Sequence, residues 1–360
     1  MNIVLSLDYE LFFGSHTGTV ERTLLQPSQA IFELAGRHGI PLAFFVDAGF
    51  LLRLRKEGHR SPALMHDYDR VMRQLEQLVA AGHEIHLHVH PHWEDSCWNG
   101  HSWVIDTRRY RLHDFGVAEM REVATSYADA LRAITGGEGV FAYRAGGWVI
   151  QPFSRIREAI RAAGIRIDST VFAGGRSDEA SRGFDFSAAP VASHWFFDDD
   201  PLVARPDGEF LEVPIASLSV SPDFYWRMAM ATRLGSQRHR PIGDGSVMPL
   251  SRADLLAKLT RRTVSTVSMD GYKAGLLPEA CRRYERAGMA DLVVIGHPKM
   301  ASSYSLQQLE RFVLERGAGE FVGYGVYQSL FANRQDTPHA WQSSTARQDL
   351  AIKRPTATIG

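Results

Sequence analysis

Short apolar runs alternate with segments of helical periodicity along most of the chain. The apolar runs of strand length are Ile3–Leu7, Leu42–Val46, Glu84–Val89, Val140–Tyr143, Ile165–Ile167, Phe210–Val213, Leu292–Ile295 and Phe321–Tyr324. The segments whose apolar residues recur at helical spacing are Ser28–His38, Ser61–Val79, Ala118–Ile134, Phe153–Ala163, Arg252–Val267, Leu276–Ala287 and Leu306–Glu315. Because strands and helices alternate, the pattern predicts an α/β fold with a parallel sheet, either a barrel or an open doubly wound sheet.

Three stretches interrupt this alternation. Residues 94–116 are aromatic and basic, and a long insertion directly after a strand commonly closes over a ligand. Residues 173–208 are rich in Gly, Asp and Pro, which favours irregular structure. Residues 332–360 are polar and lack helical or strand periodicity. We therefore expect a single domain over residues 1–331 and a polar C-terminal tail over 332–360 that is at most loosely docked.

Composition narrows the class of protein and its location. The formal net charge of −1 gives no global electrostatic reason to expect nucleic acid or an acidic membrane as a partner. Cys97 and Cys281 are too few for a disulfide framework and fit a reducing compartment. The start "MNIVLSLDYE" lacks a basic n-region, and no apolar run is long enough to span a bilayer. We expect a soluble cytoplasmic protein without stable membrane insertion.

The stretch "HEIHLHVHPHW" holds five of the fifteen histidines. In an extended strand the side chains of His86, His88, His90 and His92 would share one face. Neutral imidazole is the commonest metal ligand in proteins, so several rings at the end of one strand indicate a divalent cation. The alternative is a cluster of histidines that are buried and hydrogen-bonded or half exposed.

A pair of carboxylates ends the first strand, in "LSLDYELFFG". Asp8 and Glu10 are costly at such a place unless they are solvated, paired or bound to a cation. A helix cap or surface turn would explain them without chemistry, but the flanking aromatic residues make a simple solvated turn a poorer explanation. They predict a carboxylate ligand or a general base beside the histidines.

These residues carry a resemblance to a known family. The stretch "GHEIHLHVHPH" from Gly82 to His92 resembles the second motif of the polysaccharide deacetylases, the NodB-homology group of carbohydrate esterase family 4. The resemblance implies a distorted (β/α) barrel of about seven parallel strands, with helical and loop insertions. It makes His88 and His92 metal ligands and His83 a histidine that does not bind the metal. Residues 1–331 would then be one deacetylase-like catalytic domain.

The first and third motifs of that family also have counterparts here. "SLDYE" is similar to the first, and it places Asp8 as the catalytic base, with Tyr9 where the family has a second Asp. Glu10 is then our choice for the third metal ligand, with Asp8 as the alternative. "YRAGGW" is similar to the third, in which Arg144 orients the base, although two prolines of the family are missing. A backbone N–H near Gly147 would face the developing oxyanion.

The remaining motifs supply the acid. "RIDSTVF" resembles the fourth and offers Asp168 to tune a histidine, and "VVIGHPKM" resembles the last and offers His297 as general acid. Alone, the latter would more often be a capping or loop histidine. The residues assigned to the substrate pocket are His86, His90, Trp93, Gly147 and Trp148.

The resemblance implies a metal-dependent hydrolase that removes an acetyl or formyl group from an amino sugar. The ion expected first is Zn²⁺, with Co²⁺, Fe²⁺ or Ni²⁺ as alternatives. A cytoplasmic location favours a nucleotide-linked or lipid-linked sugar of surface polysaccharide (lipopolysaccharide) synthesis. Two other functions stay open, namely an amidohydrolase-like enzyme acting on a linear amide outside sugars, and a catalytically silent sugar-binding or regulatory protein.

Overall fold

The structure is a computed structural model, and it describes residues 1–137, 139–179, 182–234 and 237–332. Its strands are β1 (Asn2–Tyr9), β2 (Ala43–Asp47), β3 (Glu84–Val89), β4 (Cys97–Trp98), β5 (Trp103–Val104), β6 (Ala142–Ala145), β7 (Ile167–Asp168), β8 (Arg176–Ser177), β9 (Phe184–Asp185), β10 (Trp195–Phe197), β11 (Phe210–Glu212), β12 (Ser217–Val220), β13 (Thr263–Thr266) and β14 (Asp291–Gly296). Its α-helices are α1 (Gln26–His38), α2 (Ala48–Gly58), α3 (Pro62–Ala80), α4 (Val117–Thr135), α5 (Arg157–Ala162), α6 (Pro222–Arg233), α7 (Arg252–Thr260), α8 (Leu277–Arg286), α9 (Ser303–Arg316) and α10 (Ser329–Ala332). Apart from Ala332, the tail expected over 332–360 lies outside the described residues.

One sheet has the strand order β10-β11-β7-β6-β3-β2-β1-β14. Within the described ranges its strands are parallel except for β10, which runs antiparallel to β11. The chain after β11 closes the sheet, because the N–H of Ile215 donates to the carbonyl of Val171 (2.8 Å) and that of Ala216 donates to Val293 on β14 (2.9 Å). The predicted distorted barrel with about seven parallel strands is confirmed.

The inner face of the barrel changes character along the strands. Alternate residues of each strand share this face. At the amino ends of the strands it is filled by an apolar cluster, the apolar plug, which contains Val4, Ala43, Phe45, Ala142, Ile167, Leu211, Val293, Tyr324 and Tyr327. Toward the carboxyl ends the same face carries polar side chains that are nevertheless buried, among them Asp8, His88 and Arg144. The polar end is therefore where the chemistry has to be sought.

Two predicted elements are wrong. The helix expected over Arg252–Val267 ends at Thr260, and Thr263–Thr266 is strand β13. The reason is that this β-branched run pairs antiparallel with β12, and packing there outweighs the apolar helical spacing. The strand expected over Phe321–Tyr324 is reduced to one bridge between Phe321 and Ile3, and a 3-10 turn begins at Tyr324.

Residues 221–262, which we call the insertion, leave the barrel between β12 and β13. Their segment 242–246 returns to the loops at the polar end. The N–H of Ile242 donates to Ala301 (2.8 Å), and the N–H of Gly14 donates to Ser246 (3.0 Å). The insertion is thus attached both at its base and at the rim of the barrel. Across the described part of the chain, no helix is both long and apolar enough to cross a bilayer.

Candidate metal centre and active site

Asp8 and Glu10 end the inner face of β1, and both are buried. The guanidinium of Arg144, from the end of β6, donates through Nη1 to Asp8 Oδ1 and through Nη2 to Ser6 Oγ at 2.9 Å. Arg144 is fully buried itself, so the two opposite charges compensate each other away from water. This pairing fixes the orientation of Asp8, whose other oxygen lies 3.9 Å from His88 Nε2.

Glu10, His88 and His90 bring three donor atoms together. Nε2 of His88 lies 3.3 Å from Glu10 Oε2 and 3.1 Å from His90 Nε2. His90 Nε2 also contacts the same carboxylate oxygen. His88 and His90 are two residues apart and so share a face of the strand, while Glu10 reaches them from β1. We call these three residues the metal cluster.

The metal cluster fits a divalent ion. Nδ1 of His88 is 2.9 Å from the carbonyl oxygen of Arg144, so this nitrogen is the donor, and Nε2 is the nitrogen that binds a cation once it has lost its proton. Donors that bind one ion at ~2.1 Å stand roughly 3 Å apart, as these do. Two imidazoles and one carboxylate are a ligand set that leaves a position open for water or substrate.

Lys299 borders the metal cluster. Its ammonium donates to Oε1 of Glu10 at 2.9 Å and to the carbonyl of Leu11 at 2.6 Å. Burial alone would raise the pKa of Glu10, but the charge of Lys299 and the hydrogen bonds from His88 and His90 outweigh it and lower the pKa well below its ordinary value. Because Lys299 uses Oε1, the other oxygen of Glu10 stays directed at the histidines.

The histidines of the metal cluster differ in charge state. Burial disfavours a charged His88, yet the carboxylates of Asp8 and Glu10 outweigh burial and raise its pKa to about 8. Burial lowers the pKa of His90 to about 4, despite the nearby Glu10. His90 is therefore a neutral imidazole at physiological pH, which is the form that binds cations.

His92, which the resemblance makes a metal ligand with His88, is not one of the three converging donors, although its ring centroid lies 5.3 Å from that of His90. Pro91 ends the strand and begins a 3-10 turn, which directs the ring of His92 against Tyr110, parallel at 5.7 Å between centroids. Both of its ring nitrogens are buried and have no hydrogen-bond partner among the described residues. Of the rings of His90 and His92, that of His90 is nearer to His88, because side chains two positions apart along a strand share one face.

His297 faces the metal cluster from the loop after β14. Its Nε2 lies 3.7 Å from both Asp8 Oδ2 and Glu10 Oε1. Its Nδ1 lies 2.8 Å from Oδ2 of Asp270, whose Oδ1 accepts the backbone N–H of His297 at 2.7 Å. Burial would lower the pKa of His297, but the Asp270 carboxylate outweighs it and raises the pKa.

Asp168 was predicted to tune His297, but the structure places the carboxylate of Asp270, and not that of Asp168, against this histidine. Asp168 accepts hydrogen bonds from the backbone N–H (3.1 Å) and hydroxyl (2.7 Å) of Thr170. Its register partner on β11 is Glu212, a second buried carboxyl group. Burial raises the pKa of Asp168, and burial together with the Asp168 charge raises that of Glu212 well above its ordinary value. We therefore assign the Asp168–Glu212 pair to the ends of β7 and β11, and not to the general acid His297.

Gly147 and Trp148 turn the chain at the rim, both with positive φ, of 60° and 62°. A Cβ at position 147 would lie 2.6 Å from the hydroxyl oxygen of Tyr110, so only glycine fits there. Tyr110 comes from the 94–116 insertion and is buried against His90 and His92. The absence of a side chain at Gly147 therefore admits the Tyr110 hydroxyl to the site.

Two residues assigned to the substrate pocket are elsewhere. His86 is fully buried one layer below the metal cluster, against Phe141 and 3.1 Å from a carboxylate oxygen of Glu84. Trp93 is fully buried, and its indole N–H donates to Oδ2 of Asp47 at 2.6 Å. Both side chains thus pack inside the fold, whereas Trp148 is only half-buried at the rim.

Sequence reasoning missed three residues of the site: Lys299, Asp270 and Tyr110. Lys299 stands two positions after His297, in the stretch that was matched to the last motif, and a lysine there gives no signal of its own. Asp270 follows β13, which was predicted as helix, so its position at a strand end was hidden. Tyr110 was noted only as one aromatic residue of the 94–116 insertion.

No family model and no curated protein matches the sequence. Among solved structures, the chain is similar to "probable Polysaccharide deacetylase from Pseudomonas aeruginosa PAO1", with 13% identity, a TM-score of 0.48, and coverage of 93% of this chain and 92% of that chain. It is similar to Puue allantoinase at 15% identity and a TM-score of 0.41, over 87% of this chain and 83% of that one. It is also similar to a CE4 family pseudoenzyme from Bacillus anthracis, at 10% identity and a TM-score of 0.36, over 87% of this chain and 59% of that one. At these identities and scores the likeness extends at most to the fold, and the function of this chain has to be inferred from its own residues.

Proposed function

We propose that this chain is a metal-dependent hydrolase that removes an acetyl or formyl group from the nitrogen of an amino sugar. The observation that carries the proposal is the convergence of the metal cluster and two side-chain pairs at one end of the barrel. The metal cluster lies between the Asp8–Arg144 pair and the His297–Asp270 pair. Such a set supplies a cation site, a base and an acid, which are the three requirements of amide hydrolysis.

When bound, a divalent ion would lower the pKa of a water molecule and polarise the acyl oxygen. Asp8, held by Arg144, accepts the proton of the attacking water. The N–H of Gly147 and the hydroxyl of Tyr110 stabilise the developing oxyanion, and donors of this kind typically contribute about 3 kcal/mol each. His297 gives its Nε2 proton to the leaving amine while Asp270 holds Nδ1.

We propose Zn²⁺ as the ion of the metal cluster. Imidazole and carboxylate ligands also suit Co²⁺, Fe²⁺ and Ni²⁺, so the donor set restricts the choice without deciding it. The proposed substrate is a nucleotide-linked or lipid-linked amino sugar of surface polysaccharide synthesis. The half-buried Trp148 beside the rim supports a sugar, because an indole face packs well against a pyranose ring.

One observation favours a second candidate, the hydrolysis of an amide outside sugars. The metal cluster uses His88 and His90, a His-x-His pair on one strand, which is also how amidohydrolases begin their metal site. In those enzymes the pair normally lies on the first strand of the barrel, whereas here it lies on β3. Metal stoichiometry distinguishes the two, since one ion per chain fits the deacetylase and two ions fit many amidohydrolases.

The test combines elemental analysis of the purified protein with acetate and formate release from nucleotide-linked and lipid-linked amino sugars. We expect one divalent ion per chain and release that a chelator abolishes. Asp8→Asn should keep the ion and lose turnover, whereas Glu10→Gln should weaken binding of the ion itself. Absence of release across the panel, with the ion bound, would instead favour the silent sugar-binding protein.

A further inference from the structure

Helix α6 of the insertion carries an apolar stripe that faces solvent. Trp226, Met230 and Leu234 stand at i, i+4 and i+8, the spacing of one helix face. Their exposures are 54%, 59% and 80%, far above those of the core residues on the same helix, Phe224 and Tyr225. No described residue covers the stripe to the extent that a core would.

Helix α7 continues this surface. Leu255 and Leu256 are 50% and 62% exposed. The indole N–H of Trp226 donates to the carbonyl of Leu259 at 3.1 Å, which ties α7 to α6. Five large exposed apolar side chains therefore lie on α7, on α6 and at the C-terminal cap of α6, and exposed apolar surface of this kind marks interaction sites.

The same segment is strongly basic, although the whole chain is nearly neutral. Residues 221–262 contain eight Lys and Arg and three Asp, against a net charge of −1 for the chain. Asp223 is paired with Arg227, and Asp244 accepts hydrogen bonds from Thr19 and Thr23 at the rim. Cations thus outnumber acids in the insertion, and Arg233 of α6 is exposed. The expectation drawn from global charge misses this local excess.

We propose that this face of the insertion docks on a membrane surface that contains anionic phospholipids. Trp, Met and Leu on one helix face insert at the level of the headgroups, while Arg and Lys around them contact lipid phosphates. The charges argue against a second copy of this chain as the occupant. A symmetric pair would bring the two basic surrounds together and would repel.

Docking there would bring the site close to the lipid. Segment 242–246 of the insertion contacts the loop that carries His297, since the N–H of Gly243 donates to the carbonyl of Lys299 at 3.1 Å. Of the two carriers proposed for the amino sugar, this arrangement favours the lipid-linked one. This last step rests on the proposed function, whereas the docking itself does not.

The experiment is co-sedimentation of the full-length protein with vesicles of phosphatidylcholine that contain about one third phosphatidylglycerol. We expect binding to these vesicles, little binding to pure phosphatidylcholine, and weakening at high salt. Met230→Glu and Leu256→Glu should each reduce binding at least about tenfold. Leu314→Glu is the matched control, because Leu314 is an exposed leucine (66%) on α9, outside the insertion, and its variant should bind like wild type.

Several results would overturn the proposal. Failure to bind anionic vesicles would do so, as would an equal loss in Leu314→Glu and Met230→Glu when both variants melt as wild type does. A dimer that Met230→Glu dissociates, without vesicle binding, would assign the face to a second copy instead. Because sedimentation needs no turnover, vesicle binding by an inactive chain would refute the proposed function and leave the docking intact.

Discussion

At the scale of single residues, the ligand set of the metal cluster depends on which histidine follows His88. His90→Ala removes a donor that lies 3.1 Å from His88 Nε2, so it should lose most of the bound ion. His92→Ala leaves the metal cluster intact and should retain the ion. Elemental analysis after dialysis measures both variants, and retention by His90→Ala with loss by His92→Ala would restore the original prediction.

The acid is the second residue-scale prediction. His297→Ala should slow amide hydrolysis by about 10²–10⁴-fold and spare an activated ester, whose leaving group needs little protonation. A general acid works when protonated, so activity falls as pH rises through its pKa. Asp270→Asn removes the charge that raises the pKa of His297, and the alkaline limb of the pH profile of kcat/KM should move to lower pH.

The control for that shift is Asp168, the residue first expected to tune His297. Asp168→Asn changes a buried carboxyl that hydrogen-bonds Thr170, so the alkaline limb should keep its position even where stability falls. If the alkaline limb moves equally in Asp168→Asn and Asp270→Asn, both carboxylates act through the summed electrostatic potential of the site. The contact between His297 and Asp270 would then have no special role.

Tyr110 gives the third residue-scale prediction. Tyr110→Phe removes only the hydroxyl beside Gly147 and keeps the ring that stacks on His92. We expect a loss in kcat of about 10-fold to 10³-fold, with KM and metal content nearly unchanged, because the lost hydrogen bond would form in the transition state. A variant with wild-type kcat would leave Gly147 as the only oxyanion donor of the two.

At the scale of elements, β7 and β11 are joined by the carboxyl pair of Asp168 and Glu212. Burial and Asp168 raise the pKa of Glu212, so the folded state holds a proton that the unfolded chain releases. The resulting stability is fully present below the ordinary pKa of glutamate and is lost as pH rises through the raised value. The Tm of Glu212→Gln minus that of wild type should therefore be larger at pH 9 than at pH 5. Thermal melts across that range test this, and parallel curves would contradict it.

The elements that the sequence predicted well are those with one strong pattern. Glu84–Val89 was predicted with the bounds that β3 has, because a short apolar run between turn signals has few alternatives. Helix α2 was missed, since it begins directly after β2 and the single polar residue at the junction is its cap, Asp47. Local pattern thus failed where two elements share one apolar run.

At the scale of the whole molecule, the metal cluster ties β1 to β3 and should contribute to stability. A ligand at 100 times its Kd stabilises the folded state by about 2.7 kcal/mol. Chelation should therefore lower the Tm of wild type by several degrees and leave that of His90→Ala nearly unchanged. Calorimetry with and without chelator measures this, and equal shifts in both proteins would mean that the ion binds elsewhere.

Much of the site was predictable from the sequence, although its pairings were not. Asp8, His88 and His297 each end an apolar run, so their convergence follows from parallel strands, whose carboxyl ends lie at one edge. Asp270 and Lys299 belong to no pattern of that kind. Their partners lie 27 and 289 positions away, and such contacts depend on the three-dimensional path of the loops.

The apolar plug at the amino end of the barrel determines how molecules enter and leave. With Tyr324 and Tyr327 packed among the strands, the amino end of the barrel is filled, and we expect the reacting centre to open at the carboxyl end. Substrate, amine and released acid must share that route. Under the proposed function, an amino-sugar product that leaves slowly would block entry of the next substrate. This product should therefore inhibit competitively with respect to the substrate. The rate in a cell would then depend on how fast the enzyme that consumes the product removes it.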